Sequence, residues 1–142
     1  SYARAHNDLG IAYTQLGRFD EAIASFREAL RLSGPSAGGA TGPLPRLGAA
    51  LALGGYRDEA LGVLRQLGED AQTRDVPNLA FAEIHLALGQ DAAALDYLEA
   101  GYHAHDGDIV LLHLYPAWDP LRMHPRFREI IRLLDFPSSA ND

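Results

Sequence analysis

Glycine, a small residue and a large apolar residue return along this chain at fixed intervals. The segments GRFDEAIASFREAL (17–30), GYRDEALGVLRQLG (55–68) and GQDAAALDYLEAGY (89–102) each open on Gly. Five residues later stands Ala22, Ala60 or Ala94, and four beyond that stands Phe26, Leu64 or Leu98. The stretch ahead of each Gly repeats as well. Leu9, Leu47 and Phe81 precede it by eight residues, Gly10, Gly48 and Ala82 follow them directly, and Tyr13, Leu51 and His85 come three later. These spacings predict a unit of helix, glycine turn and helix. The Gly takes the left-handed conformation that closes the first helix, the small residues let the two helices approach, and the large ones fill the gap. One such pair cannot bury its face alone, so neighbours must stack. The expected fold is therefore all-α, with at least six helices in three antiparallel pairs.

The apolar weight continues into YPAWDPLRMHPRF (115–127), where three prolines forbid one long helix and Trp118, Leu121, Met123 and Phe127 read as core. Pro120 and Pro125 suit first-turn helix positions, with Asp119 placed as an N-cap. A one-turn helix at Pro120–Met123 and a longer one at about 125–134 follow. The longer helix carries Phe127, Ile130, Ile131 and Leu134 on one stripe and Arg126, Arg128, Glu129 and Arg132 off it. An end repeat leaves one apolar face uncovered, and such a helix covers it while presenting charge outward. A structural cap is the preferred reading of this stretch, and a partner site is the alternative.

AHNDLGIAYTQLGRFDEAIASFREAL (5–30) resembles the tetratricopeptide repeat, with Leu9, Gly10, Tyr13, Ala22, Phe26 and Ala29 at the pattern's positions. Repeats at about 3–34, 43–69 and 76–103 and a cap at about 107–137 then make one domain over 1–142, a solenoid of about three repeats. The third repeat has Gly101 where the family uses Ala. The first interval, 38 residues, exceeds the second, 34, by four, and the excess falls in SGPSAGGATGP (33–43), a loosened connection. The ending from about 76 to 137 is similar to the close of bacterial tetratricopeptide arrays in transcription activators, adenylate cyclases and Ser/Thr kinases. It shares their proline-spaced PxxDPLRxxPRF pattern, here from Pro116 to Phe127, and their closing Pro.

Composition narrows the chemistry. The chain has 142 residues, 47% of them hydrophobic, and a net charge of −7. That balance offers no basic footprint for nucleic acid. All 12 cationic side chains are Arg, so Lys-dependent phosphate loops and Schiff bases are excluded, and the absence of Cys excludes disulfides, thiolate metal sites and thiol nucleophiles. No apolar run approaches the ~20 residues of a membrane helix. The missing initial Met and the periodic first residues suggest a piece cut from a larger array, with a cytoplasmic setting. HAHDGD (103–108), with His113 and His124 beyond it, assembles imidazoles and carboxylates. Its spacing fixes no metal site, and polar helix termination is the preferred role. His85 is expected to pack between helices with its ring nitrogens satisfied locally. Asp20, Glu21, Asp58 and Glu59 open second helices, where negative charge suits the dipole. No nucleophile elbow or phosphate loop is present. No catalytic residue, cofactor or metal site is assigned, and the chain is not read as an enzyme.

The resemblance implies a scaffold that presents a concave groove, lined by first helices, to a peptide or protein partner. The family's contact positions fall on Arg4, Asn7, Asp8, Ile11, Thr14 and Gln15, on Arg46, Ala49 and Leu53, and on Leu79, Glu83 and Leu86. Chaperone-binding members hold a terminal carboxylate with Lys and Asn. Asn7 and Ile11 stand at the corresponding first-repeat positions here, and without Lys that clamp is unsupported. The alternative is a regulatory or self-association segment of a larger signalling enzyme or transcription regulator. A homo-oligomer would then form through the N-terminal edge.

Overall fold

Three helix turns end in the same hydrogen-bond pattern. Gly17, Gly55 and Gly89 have φ of 76°, 90° and 78°. The N–H of the following residue reaches back to close the preceding helix: Arg18 to the Tyr13 carbonyl, Tyr56 to Leu51 and Gln90 to His85, at 2.8–2.9 Å. This is the left-handed helix stop that the sequence pattern predicts. The computed structural model describes residues 2–34 and 42–135. Among these the helices are α1 (Tyr2–Gln15), α2 (Phe19–Ser33), α3 (Pro43–Leu53), α4 (Arg57–Asp70), α5 (Asn78–Ala87), α6 (Asp91–His103) and α7 (Pro125–Asp135). Two 3-10 segments, Gly107–Leu114 and Pro116–Leu121, join α6 to α7. No strand occurs among the described residues. Most of the expected 33–43 connection and the closing Pro137 lie outside them.

The pairs pack as α1 with α2, α3 with α4 and α5 with α6, and α3 also contacts α2 and α5. The described chain is therefore an all-α stack of helix pairs. Close approach depends on the small residues. A methyl group on Gly10 would lie 2.6 Å from the Phe26 ring, and one on Gly48 would lie 2.6 Å from Ile84. Ala22, Ala60 and Ala94 are fully buried, as are Phe26 and Leu98. Leu64 differs. It is only half-buried, and Val63 and Leu67 of α4 fill the core beside it. At Gly101 an Ala methyl would meet Asp106 at 3.3 Å and Ile109 at 3.4 Å, so the fit is close but asks for only a slight shift of Asp106.

The second helices begin without a side-chain cap. Arg18, Tyr56 and Gln90 occupy the cap positions and make no capping hydrogen bond. The acidic residues of the first turns act by charge, by the pairing of Glu21 with Arg18, and by bonds between pairs. The Tyr56 hydroxyl donates to Asp20 at 2.7 Å, and Arg27 of α2 pairs with Glu59 of α4 at 2.7 Å.

The C-terminal stretch closes the stack. Ile109, Leu112, Trp118, Leu121, Phe127 and Ile130 are all buried in the common core, with Ile131 and Leu134 packed against it. Three details depart from expectation. The link before α7 forms a 3-10 segment at 116–121 with Pro120 inside it, in place of a turn opening at Pro120. Asp119 pairs with Arg122 and caps nothing. Met123 is 80% exposed, because the chain turns there before α7 starts. Pro125 does open α7, and His124 Nδ1 accepts the Arg126 N–H at 3.2 Å as its cap. Arg126 then bridges α7 to α6 through Glu99 and Asp96, each at 2.7 Å.

Ala22→Arg or Ala60→Arg is expected to unfold the domain, because each forces an unpaired charge into a fully enclosed helix contact. A far-UV thermal melt matching the parent's would contradict the packing described. Phe127→Ala should cost about 3–5 kcal/mol, since its ring is fully buried. Denaturant titration measures that loss, and a value under ~1 kcal/mol would show that the cap adds little to stability.

Candidate functional site

The positions picked from the sequence as a groove divide into an open set and a closed set. On α1, Arg4, Asp8 and Gln15 are exposed, and Asn7, Ile11 and Thr14 are half-buried. The Thr14 hydroxyl donates to the Gly10 carbonyl at 2.8 Å, and Arg4 stands 4.0 Å from Asp8 on the surface. Leu53, at the end of α3, is 46% exposed. Ala49 and Leu79, by contrast, are core residues at 6% and 4% exposure. A partner could reach them only by displacing packed neighbours. Leu86 is half-buried.

The closed set centres on an ion pair that no local pattern announces. Arg46 of α3 and Glu83 of α5 approach to 3.6 Å, with side chains only 15% and 10% exposed. The Arg46 guanidinium also lies 5.9 Å from the centre of the Tyr115 ring. Tyr115 is held in turn: its carbonyl accepts from Arg122 Nη2 at 3.1 Å and from the Trp118 N–H at 3.2 Å. Residues from α3, α5 and the C-terminal link thus meet at one point. Burial pushes the Glu83 carboxyl above the usual carboxylate range, and Arg46 pulls it partly back. Arg46 Nε is enclosed and finds no acceptor among the described residues. Of the positions picked from the sequence, those at this corner are packed from within and not open.

His85, His105 and His124 serve helix ends and stacking. His105 has φ of 58° and takes the position that Gly occupies in the other three turns, with the Asp106 N–H returned to the Gly101 carbonyl at 3.0 Å. Asp106 Oδ2 accepts the Asn78 N–H at 2.9 Å and its side-chain amide at 3.1 Å, so it caps α5 across 28 residues. These bonds give part of the HAHDGD cluster a structural role. Among the described residues no three His, Asp or Glu side chains converge as metal ligands. The side chains of Asp108 and His113 lie outside the described set. His85 stacks on Tyr97 at 5.3 Å, and its Nδ1 meets Gln90 Oε1 at 2.6 Å, a local partner for one of the two ring nitrogens.

Clefts lie at two other places on the surface of the described residues. One of about 270 Å³ sits over Asp20, Arg27, Tyr56 and Glu59, whose polar groups are spent on the bonds between repeats. The other, about 390 Å³, lies between α6 and α7 beside Tyr102, His103 and Leu133. Neither assembles a nucleophile with a base.

The comparison with known families falls on the first pair. Residues 3–33 match the tetratricopeptide repeat family model. The match covers nearly all of α1 and α2, where Gly10 and Phe26 make their contact. No curated protein and no solved structure matches the chain. Tetratricopeptide repeats generally mediate protein–protein interaction and are generally non-catalytic. No helix among the described residues is long and apolar enough to cross a membrane.

The raised carboxyl of Glu83 sets a pH dependence. The folded state holds this proton more tightly than the unfolded chain. The group's contribution is therefore favourable at low pH and is lost as pH rises through the folded pKa. Glu83→Gln removes that loss. The melting temperature of the variant minus that of the parent should become more positive between about pH 4 and about pH 7. A difference that stays flat or falls across that range would show Glu83 to be ionised without penalty.

Proposed function

We propose that this segment is a protein-interaction scaffold whose open binding surface is the α1 and α3 part of the groove. The observation that carries this reading is the division of the groove. Arg4, Asp8, Gln15 and Leu53 are exposed on first helices, whereas the Arg46–Glu83 end is filled from within. A partner peptide would meet apolar, cationic and anionic groups side by side, with Ile11 half-open between them. Such a surface favours an extended or helical peptide of mixed character over nucleic acid, in keeping with the net charge of −7. The repeat family match supports a non-catalytic role. A second reading makes the segment a regulatory or self-association element of a larger, cytoplasmic signalling enzyme or transcription regulator. The exposed apolar residues of α1 favour it.

Selection of binders from a random peptide library, followed by NMR shift mapping, tests the first reading. Shifts should cluster on α1 and the end of α3. Leu53→Asp and Gln15→Ala together should weaken a selected peptide about tenfold or more. Shifts confined to α2 and α4 would overturn the assignment of the binding face.

A further inference from the structure

Between the first and second helix pairs a cleft of about 270 Å³ opens on the side of the second helices. Its floor is apolar, made by the core residues Ile23 of α2 and Leu51 of α3. Its walls are polar: Asp20 and Arg27 from α2, Tyr56 just ahead of α4, and Glu59 within α4. All four wall residues are exposed.

The bonds between the pairs engage each wall residue, yet they use only part of what the carboxylates can accept. Tyr56 donates to Asp20 Oδ1, and Arg27 Nη2 donates to Glu59 Oε2. An ionised carboxylate has a second oxygen and about four acceptor sites in all. Among the described residues nothing donates to Asp20 Oδ2 or Glu59 Oε1. Charge is unbalanced as well, with two carboxylates beside one guanidinium. Tyr56 registers that excess. Its phenol is held above the ordinary range, first by the hydrogen bond to Asp20 and then by the Asp20 charge, with burial and Glu59 adding to it and Arg27 opposing.

The repeat does not itself require this chemistry. One interval on, the register of Asp20, Arg27, Tyr56 and Glu59 is held by Asp58, Arg65, Gln90 and Ala93. The second junction thus forms without the ring and without the second carboxylate, so joining pairs accounts for neither. An apolar floor, a phenol ring and an excess of carboxylate together suit one side chain, arginine. Its methylenes lie along the floor, and its planar guanidinium stacks on the ring. Its fork of donors matches carboxylate oxygens, which the point charge of Lys does less well.

We propose that the cleft between the first two helix pairs receives an arginine side chain of a partner protein, held by the oxygens of Asp20 and Glu59 that the junction leaves open. The cleft is separate from the α1 and α3 surface proposed for the peptide, so either site can fail without the other. The net charge of −7 favours the approach of such a basic partner.

The test titrates N-acetyl-arginine amide into the isotope-labelled chain, followed by NMR, with N-acetyl-citrulline amide as the neutral isostere. Arginine should give saturable shifts centred on Tyr56 and Glu59, with a dissociation constant of about 1–10 mM, as befits a single side chain on an open site. Citrulline should bind at least about fivefold more weakly, and Asp20→Asn should weaken arginine about two- to fivefold, the effect of one exposed charge. Tyr56→Phe breaks the same bond between the pairs but keeps the ring and both carboxylates, so it should bind arginine at least as well as the parent. A loss in Tyr56→Phe as large as in Asp20→Asn would show that the junction is being read and not the carboxylate, and would overturn the proposal. Equal binding of arginine and citrulline, or no saturable shift by about 50 mM, overturns it too.

Discussion

The stack depends on how closely two helices can lie. At Gly10 the missing side chain is occupied by the Phe26 ring, close enough that a single methyl would stand 2.6 Å from it. That contact sets the separation of α1 and α2, and the turn at Gly17 has the length it needs because the helices are that near. Gly48 uses the same absence differently. Its space is taken by Val63 of its own pair and by Ile84 of the next one. One small position therefore serves first to close a pair and then to join two pairs. In the third pair Ala82 is fully buried at the same register, with Phe81 stacked on Tyr97 at 5.2 Å beside it.

Features set by residues near one another in the chain were legible in the sequence. The turns at Gly17, Gly55 and Gly89, the buried Ala22, Ala60 and Ala94, and the amphipathic α7 all follow from spacing within about twenty residues. Long-range partnerships were not. Nothing in the periodicity says that Asp106 will cap α5, or that Arg46 will face Glu83, 37 residues away, with Tyr115 against it. Groove positions carried over from the repeat pattern therefore included Ala49 and Leu79, which the stacking of pairs encloses. The pattern marks which face of a helix is inward. How much of that face a later segment covers depends on where the chain goes afterwards. Met123 shows the converse, an apolar residue left in solvent because the turn before α7 carries it outward.

Electrostatics here works mainly at a distance from stability. Arg18–Glu21, Arg31–Glu28 and Arg132–Glu129 are exposed pairs three residues apart on their helices. Solvent screening leaves exposed pairs of that kind with little effect on stability. The buried Arg46–Glu83 pair is different in kind. Removing two charges from water costs several kcal/mol per ion, and their attraction repays it only with good geometry. A separation of 3.6 Å and an unmatched Arg46 Nε are not good geometry. The pair links α3 to α5 at a point the Tyr115 ring also reaches.

The two ends of the stack meet the same requirement in opposite ways. At the C-terminal end the third pair would expose an apolar face. Six buried side chains between Ile109 and Ile130 cover it, and Arg126 ties the covering helix down through two carboxylates. At the N-terminal end α1 carries an apolar stripe with no corresponding cover among the described residues. The difference lies in amphipathicity: α7 has one apolar stripe and spends it on the core, whereas α1 has its Gly10 face against α2 and a second stripe left over. At the same register of α3, Pro43, Leu47 and Ala50 are buried where that helix packs on α2 and α5.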